Sequence, residues 1–225
     1  MSLDITPKEA IDAMYTIDNP VFCALAVFFT LLFLLNMKSF LKIFPSLWDC
    51  VVRWKGNLDL ENSIQLSRSR NWIAAILFVP LCMLVYAFGM YSPDFISDMP
   101  QAFQLAAVTG VLLVYLLLRT FLNWQFEMHN YGTSVFTAAN RSFYNYCIIL
   151  FFLLFLTGGI FSVISHNEEL VRTILLWETG LTYILYVIRR GQIFASYCNP
   201  FSTFLYLCSL ELLPTAALVL SANLL

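Results

Sequence analysis

The run PVFCALAVFFTLLFLLN, Pro20 to Asn36, decides the fold of this chain. From Val21 to Leu35 every position but Thr30 is apolar. A strand of a membrane barrel alternates polar with apolar residues over about 10 positions, whereas a helix crossing ~30 Å of hydrocarbon needs about 20 predominantly apolar residues in succession. The run therefore reads as a transmembrane helix. Working outward from it, five further charge-poor stretches of similar length follow, so that the expected spans are about 20–36, 72–90, 103–118, 143–165, 171–188 and 201–220. The expectation is an all-α polytopic membrane protein, a six-transmembrane-helix bundle forming one integral membrane domain over residues 1–225.

Composition agrees. Of the 225 residues 60% are hydrophobic and only 12% charged, with a mean hydropathy of +0.76; a water-soluble globule carries about 25% charged residues to face solvent. The lipid bilayer is thus the expected partner. A formal net charge of −2, with no basic stripe or tail, implies no nucleic acid. The six cysteines (Cys23, Cys50, Cys82, Cys147, Cys198 and Cys208) contain no CxxC pair and read as packed thiols, so neither a metal site nor a cofactor is expected.

Orientation follows from Lys and Arg in the loops. Ten of the twelve fall in the first, third and fifth loops. Both termini are therefore expected outside, with those three loops cytoplasmic. The segment Met1–Asn19 holds one Lys against four acidic residues and is followed by no small-residue cleavage site, so the first span is expected to remain in the mature protein. Only the first loop, Lys38 to Arg70, has room for structure of its own. There Phe40, Phe44, Leu47, Trp48, Val51 and Val52 recur at helical spacing, with Lys42, Asp49 and Arg53 among them. The pattern predicts an interfacial helix over 38–55, divided at Pro45, that lies on the headgroups or docks a cytoplasmic partner. Trp72, Tyr91 and Trp124 stand at span ends, as an aromatic belt requires. Two small-residue spacings, Ala102/Ala106/Gly110 and Gly158/Ser162, predict close helix packing inside the bundle.

Two carboxylates lie within spans, Glu178 and Glu211. Glu178 is 11 residues from Arg189, and Glu211 is 11 residues from Pro200; at 1.5 Å per residue each sits roughly 16 Å into the membrane. Each has a threonine four positions on, Thr182 and Thr215, and therefore on its own helical face. Pro214 cannot donate a backbone hydrogen bond and should distort the last span beside Glu211. Consecutive spans are usually neighbours, which would let the two acids meet and share a proton or cation; the alternative is an acid that bonds across helices and fixes their packing. Arg189 and Arg190 read as cytoplasmic basic anchors of the fifth span.

Enzyme readings find little support. Glu168, Glu169 and Arg172 resemble the Glu-Glu motif of CAAX-type membrane proteases, but the arginine is one residue too close and no later histidine completes a metal site. A rhomboid-type protease would need Gly-x-Ser-x-Gly, which is absent, and the two histidines, His129 and His166, stand near span ends. The two halves of the chain share no matching pair of broken helices, so no inverted-repeat transporter is indicated.

The C-terminal third carries a resemblance. Tyr186-Val-Ile-Arg-Arg190-Gly191, a spacer, and Phe204-Leu-Tyr-Leu-Cys208-Ser-Leu-Glu211-Leu-Leu-Pro214 resemble the end of an uncharacterised multi-pass family of Bacteroidota with a domain-of-unknown-function label. The resemblance implies a Gram-negative inner membrane and no activity. The chain stops at Leu225 without the basic residue associated with that family's tail. The functional expectation is a non-enzymatic subunit or scaffold of a larger envelope complex, working with other membrane proteins. The alternative is a small proton- or cation-coupled transporter using the intramembrane carboxylates.

Overall fold

In the computed structural model the described residues are 20–93, 96, 99–127, 133–164, 167–196 and 199–224, and the regular structure among them is helical. The acidic N-terminal segment, His129, His166 and Cys198 lie outside them. The helices are α1 (Pro20–Val52), α2 (Trp54–Asn62), α3 (Ile64–Ala87), α4 (Gln101–Glu127), α5 (Thr133–Ile164), α6 (Glu168–Ala195), α7 (Pro200–Leu207) and α8 (Leu213–Leu224), with a π-helical turn, Cys208–Leu212, joining the last two. Six helical segments are long and apolar enough to cross a membrane: α1, α3, α4, α5, α6 and the run through α7, the π turn and α8. The chain is a multi-pass membrane protein, and its described residues hold the six expected spans.

The first span departs from expectation. No separate interfacial helix occupies 38–55; α1 continues without interruption through Pro45 to Val52. Its 33 residues, at about 1.5 Å each, reach roughly 50 Å, well beyond the hydrocarbon thickness. Proline costs the segment one backbone hydrogen bond. Packing supplies the compensation: Phe40, Ile43 and Leu47 are buried in a cluster with Ile73 and Leu77 of α3 and Ile148 of α5, and the Phe40 ring lies 4.5 Å from that of Phe152. The periodicity was that of a helix against protein on one face, with Phe44 and Trp48 outward.

At Arg53 the backbone becomes extended (φ −130°, ψ 134°), and α2 folds back against the end of α1. Gly56 makes this possible. A Cβ there would stand 2.6 Å from the Asp49 carbonyl oxygen, so only glycine fits. The other end of the bundle is closed by local devices. Gly89, at φ 58°, ends α3, with Gly89 N–H donating to the Tyr86 carbonyl and Met90 N–H to that of Val85, the Schellman pattern. Asn167 caps α6 by accepting from Leu170 N–H at 3.2 Å, and Glu168 and Glu169 complement that helix N-terminus. That role accounts for the acidic pair that resembled a protease motif.

Helices α5 and α6 form the most extensive helix pair, and α3 packs against α1, α4 and α5. Gly158 fits its packing expectation, because a Cβ would stand 2.7 Å from the Phe88 ring. The α4 stripe does not: Ala106 and Gly110 face outward, Gly110 with open space around it, while Val108 is buried. Tyr91 is likewise buried rather than in a belt, its hydroxyl 2.9 Å from that of Ser221; Trp72 and Trp124 are exposed as a belt requires.

Candidate functional site

Tyr115, Arg119 and Asn123 fall four residues apart on α4 and therefore share one face. Thr182, Tyr186 and Arg190 do the same on α6. Between these faces comes the π turn of the last span, which carries Glu211 inward; Leu213 N–H reaches back five residues to the Cys208 carbonyl, closing the wide turn. Pro214 follows it at once. A π turn adds a residue to the helical circuit and ends where no further N–H is available to continue it. Tyr183 Oη donates to the Glu211 carbonyl at 3.1 Å, fixing the turn to α6.

Glu211 is fully buried and held by two arginines. Arg119 donates through Nη2 to Oε1 at 2.9 Å and through Nε to Oε2 at 3.2 Å, a bidentate pair. Arg190 makes an ion pair with the same Oε1. Tyr186 Oη accepts from both guanidinium groups, from Arg119 at 2.6 Å and from Arg190 at 2.7 Å. Asn123 closes the circle, accepting from Arg190 Nη2 at 2.6 Å and donating to the Arg119 carbonyl at 2.7 Å. The Phe143 ring lies over the Arg119 guanidinium at 3.9 Å, a cation–π contact from α5. Arg119, Asn123, Tyr186, Arg190 and Glu211 are all essentially inaccessible to solvent. The knot ties α4, α5, α6 and the last span together at one level.

These contacts correct two expectations. Arg190 is not a basic anchor at the membrane edge, because it is buried against Glu211, whereas Arg189 reaches the bundle periphery and donates to the Val51 and Val52 carbonyls at 2.8 and 2.9 Å, capping the end of α1. The two intramembrane acids also take different partners. Glu178 Oε2 lies 2.6 Å from Thr157 Oγ1 of α5, while Glu211 goes to the arginines. The threonines divide likewise: Thr215 Oγ1 is 3.2 Å from Tyr115 Oη, and Thr182 is buried on α6 one turn before Tyr186. Arg119 directly follows the expected span 103–118 and so falls in the expected third loop; its spacing of four from both Tyr115 and Asn123 is the signal that the sequence offers.

A second knot secures α2. Glu61 receives Arg70 of α3, at 2.9 Å, and Arg141 of α5. Asn145 Nδ2 donates to Asn57 Oδ1 at 2.9 Å, and Tyr146 Oη donates to the Cys50 carbonyl at 3.2 Å. Among the described residues no cluster of three or more His, Cys, Asp or Glu could hold a metal ion. Comparison with known protein families, curated proteins and solved structures finds no match to this chain.

Proposed function

We propose that this chain is a non-enzymatic membrane subunit, a scaffold on which a larger envelope complex is assembled. The observation that carries the reading is the Glu211 knot. Both oxygens of the carboxylate are engaged by guanidinium groups and the cluster is sealed from solvent. An acid so bound is poorly placed to pass protons or cations, and well placed to fix the angle between spans. Broad lipid-facing surfaces on α1, α4 and α6 leave area for other membrane proteins.

The distribution of Lys and Arg supports placing α2 and its surroundings on the cytoplasmic side, with both termini periplasmic. The C-terminal resemblance favours a bacterial inner membrane. Gln65 is exposed at the start of α3, so Gln65→Cys should react with a membrane-impermeant maleimide only after cells are opened. Reaction in intact cells would reverse the orientation.

Purification from native membranes in mild detergent tests the scaffold reading, with a stoichiometric membrane partner as the expected result. A chain that elutes alone and moves a solute across liposomes would overturn it. The second reading, a proton- or cation-coupled transporter, rests on Glu178, which among the described residues forms no ion pair with an arginine.

A further inference from the structure

Thr157 presents a problem of proton counting. Its Oγ1 stands 2.7 Å from the Leu153 carbonyl oxygen, one turn back on α5, and 2.6 Å from Glu178 Oε2. A threonine hydroxyl has one proton to donate, and a carbonyl has none. The hydroxyl proton can serve only one of the two contacts fully, so an un-ionised Glu178 carboxyl that donates to Thr157 Oγ1 is the arrangement that gives each contact its own proton. The opposite assignment would leave two oxygens facing each other across 2.7 Å without a proton between them, and an ionised carboxylate beside lipid. Such a charge is costly at the centre of a span. Among the described residues no basic group forms an ion pair with Glu178; the four ion pairs present involve Glu61 and Glu211.

The setting of Glu178 also differs from that of Glu211 in access. Glu178 is half-buried at the flank of the α5–α6 contact, with Trp177 and Leu181 beside it facing outward at 70% and 62% exposure. Leu153 and Ile160 of α5 are exposed as well. Its position, ten residues into the 28-residue α6, places it about 15 Å from the helix start and thus within the hydrocarbon.

The geometry points to Glu178 as a proton-binding site open to the lipid phase: a carboxylic acid that carries its proton, donates it to Thr157 Oγ1, and is reached through hydrocarbon rather than through water. The chain thus keeps its two intramembrane acids in opposite states, Glu211 ionised and enclosed by arginine, Glu178 protonated and accessible. This assignment stands apart from the scaffold reading, because it concerns a different residue and a different face.

An apolar carbodiimide tests it. Dicyclohexylcarbodiimide partitions into lipid and reacts with protonated carboxyl groups: the carboxyl oxygen adds to the carbodiimide carbon, the acid proton passes to nitrogen, and acyl migration to nitrogen leaves a stable N-acylurea with no atom lost. Full-length protein in native membranes should gain the mass of one reagent, located by peptide mass spectrometry at Glu178, and Glu178→Gln should lose the adduct. A water-soluble carbodiimide should leave Glu178 unmodified. Thr157→Val, which removes the acceptor, should retain labelling, and infrared spectra of wild type should show the carbonyl band of an un-ionised acid that Glu178→Gln lacks. Absence of labelling in wild type, an adduct at Glu211 instead, or preferential labelling by the water-soluble reagent would each overturn the assignment. Elution of Glu178→Gln at the wild-type volume confirms that the lost adduct reports the residue and not the fold.

Discussion

Replacing Glu211 with glutamine removes the one anionic partner that Arg119 and Arg190 have among the described residues. The side chain keeps its size, so little packing is lost, but two buried guanidinium groups then face an amide. Breaking a buried ion pair from one side costs about 3–5 kcal/mol, because the remaining charge stays desolvated and unpaired. For a chain of this length each kcal/mol moves the melting midpoint by about 2–4 °C, so Glu211→Gln should lower it by roughly 6–20 °C. The assay is thermal unfolding in a mild detergent, followed by intrinsic fluorescence and by loss of the monodisperse peak. A triple variant, Arg119→Met with Arg190→Met and Glu211→Leu, removes every charge of the knot together and should recover a large part of that loss. A Glu211→Gln midpoint within about 2 °C of wild type would refute the reasoning, since a buried carboxylate with two arginine partners cannot be neutralised at no cost. A triple variant less stable than the single would show that the knot contributes net stability beyond the avoidance of unpaired charge.

Gly56→Ala would place a methyl group 2.6 Å from the Asp49 carbonyl; it should cost about 1–3 kcal/mol by overpacking and expose the 53–63 segment to limited proteolysis, and an unchanged digestion pattern would count against the close approach of α1 and α2. Glu61→Gln should open the same segment to protease while leaving the six spans inserted; cleavage within α5 or α6 instead would show that Glu61 supports the bundle at large. Cys50 is fully buried, so a maleimide should miss it in folded protein even after cells are opened and reach it only on denaturation; rapid reaction in native membranes would contradict the packing around Ile43 and Leu47.

How far the sequence carried the fold depends on what hydropathy measures. Six apolar blocks locate six spans because each needs a lipid-compatible surface, and that requirement is met residue by residue along the chain. Helix length is another matter. Arg119 and Arg141 flank the apolar blocks 103–118 and 143–165 and so mark the expected third loop, yet α4 continues to Glu127 and α5 begins at Thr133; an arginine with partners in the bundle does not end a helix, and hydropathy cannot distinguish it from one in water. Pro45 misled in the same way. Its local cost is visible in sequence, whereas the offsetting burial of Phe40, Ile43 and Leu47 depends on α3 and α5, which are distant in the chain. At the site, Glu211 and Pro214 could be picked out, since acid and proline are each costly in a span; Arg190 stands just past the expected end of the fifth span and so reads as an anchor in the headgroups, not as a buried partner. Their partners Arg119 and Asn123 lie some 90 residues from Glu211, and only the spacing of four that they share with Tyr115 pointed to them.

The two knots share one construction. In each, a single glutamate stands on a short or irregular element, α2 or the π turn, and is received by arginines from longer helices: Arg70 and Arg141 for Glu61, Arg119 and Arg190 for Glu211. Non-helical or widened backbone within a membrane protein is tolerated only where protein surrounds it and satisfies its polar groups. A carboxylate can accept from two guanidinium groups at once, so one glutamate can draw two neighbouring helices onto an element too short to be held by its apolar face alone. The cost is an excess of one positive charge in each knot. At Glu211 that excess is met by the accepting oxygen of Tyr186, the Asn123 amide and the face of Phe143, none of them charged. At Glu61 Arg141 is partly exposed, so solvent or a headgroup can share it. The inner knot is therefore the one that depends on partners within the chain, and although Arg190 Nε is buried without a hydrogen-bond partner, aromatic residues surround the two arginines: in a site closed to solvent, ring faces are among the few partners left for a second guanidinium.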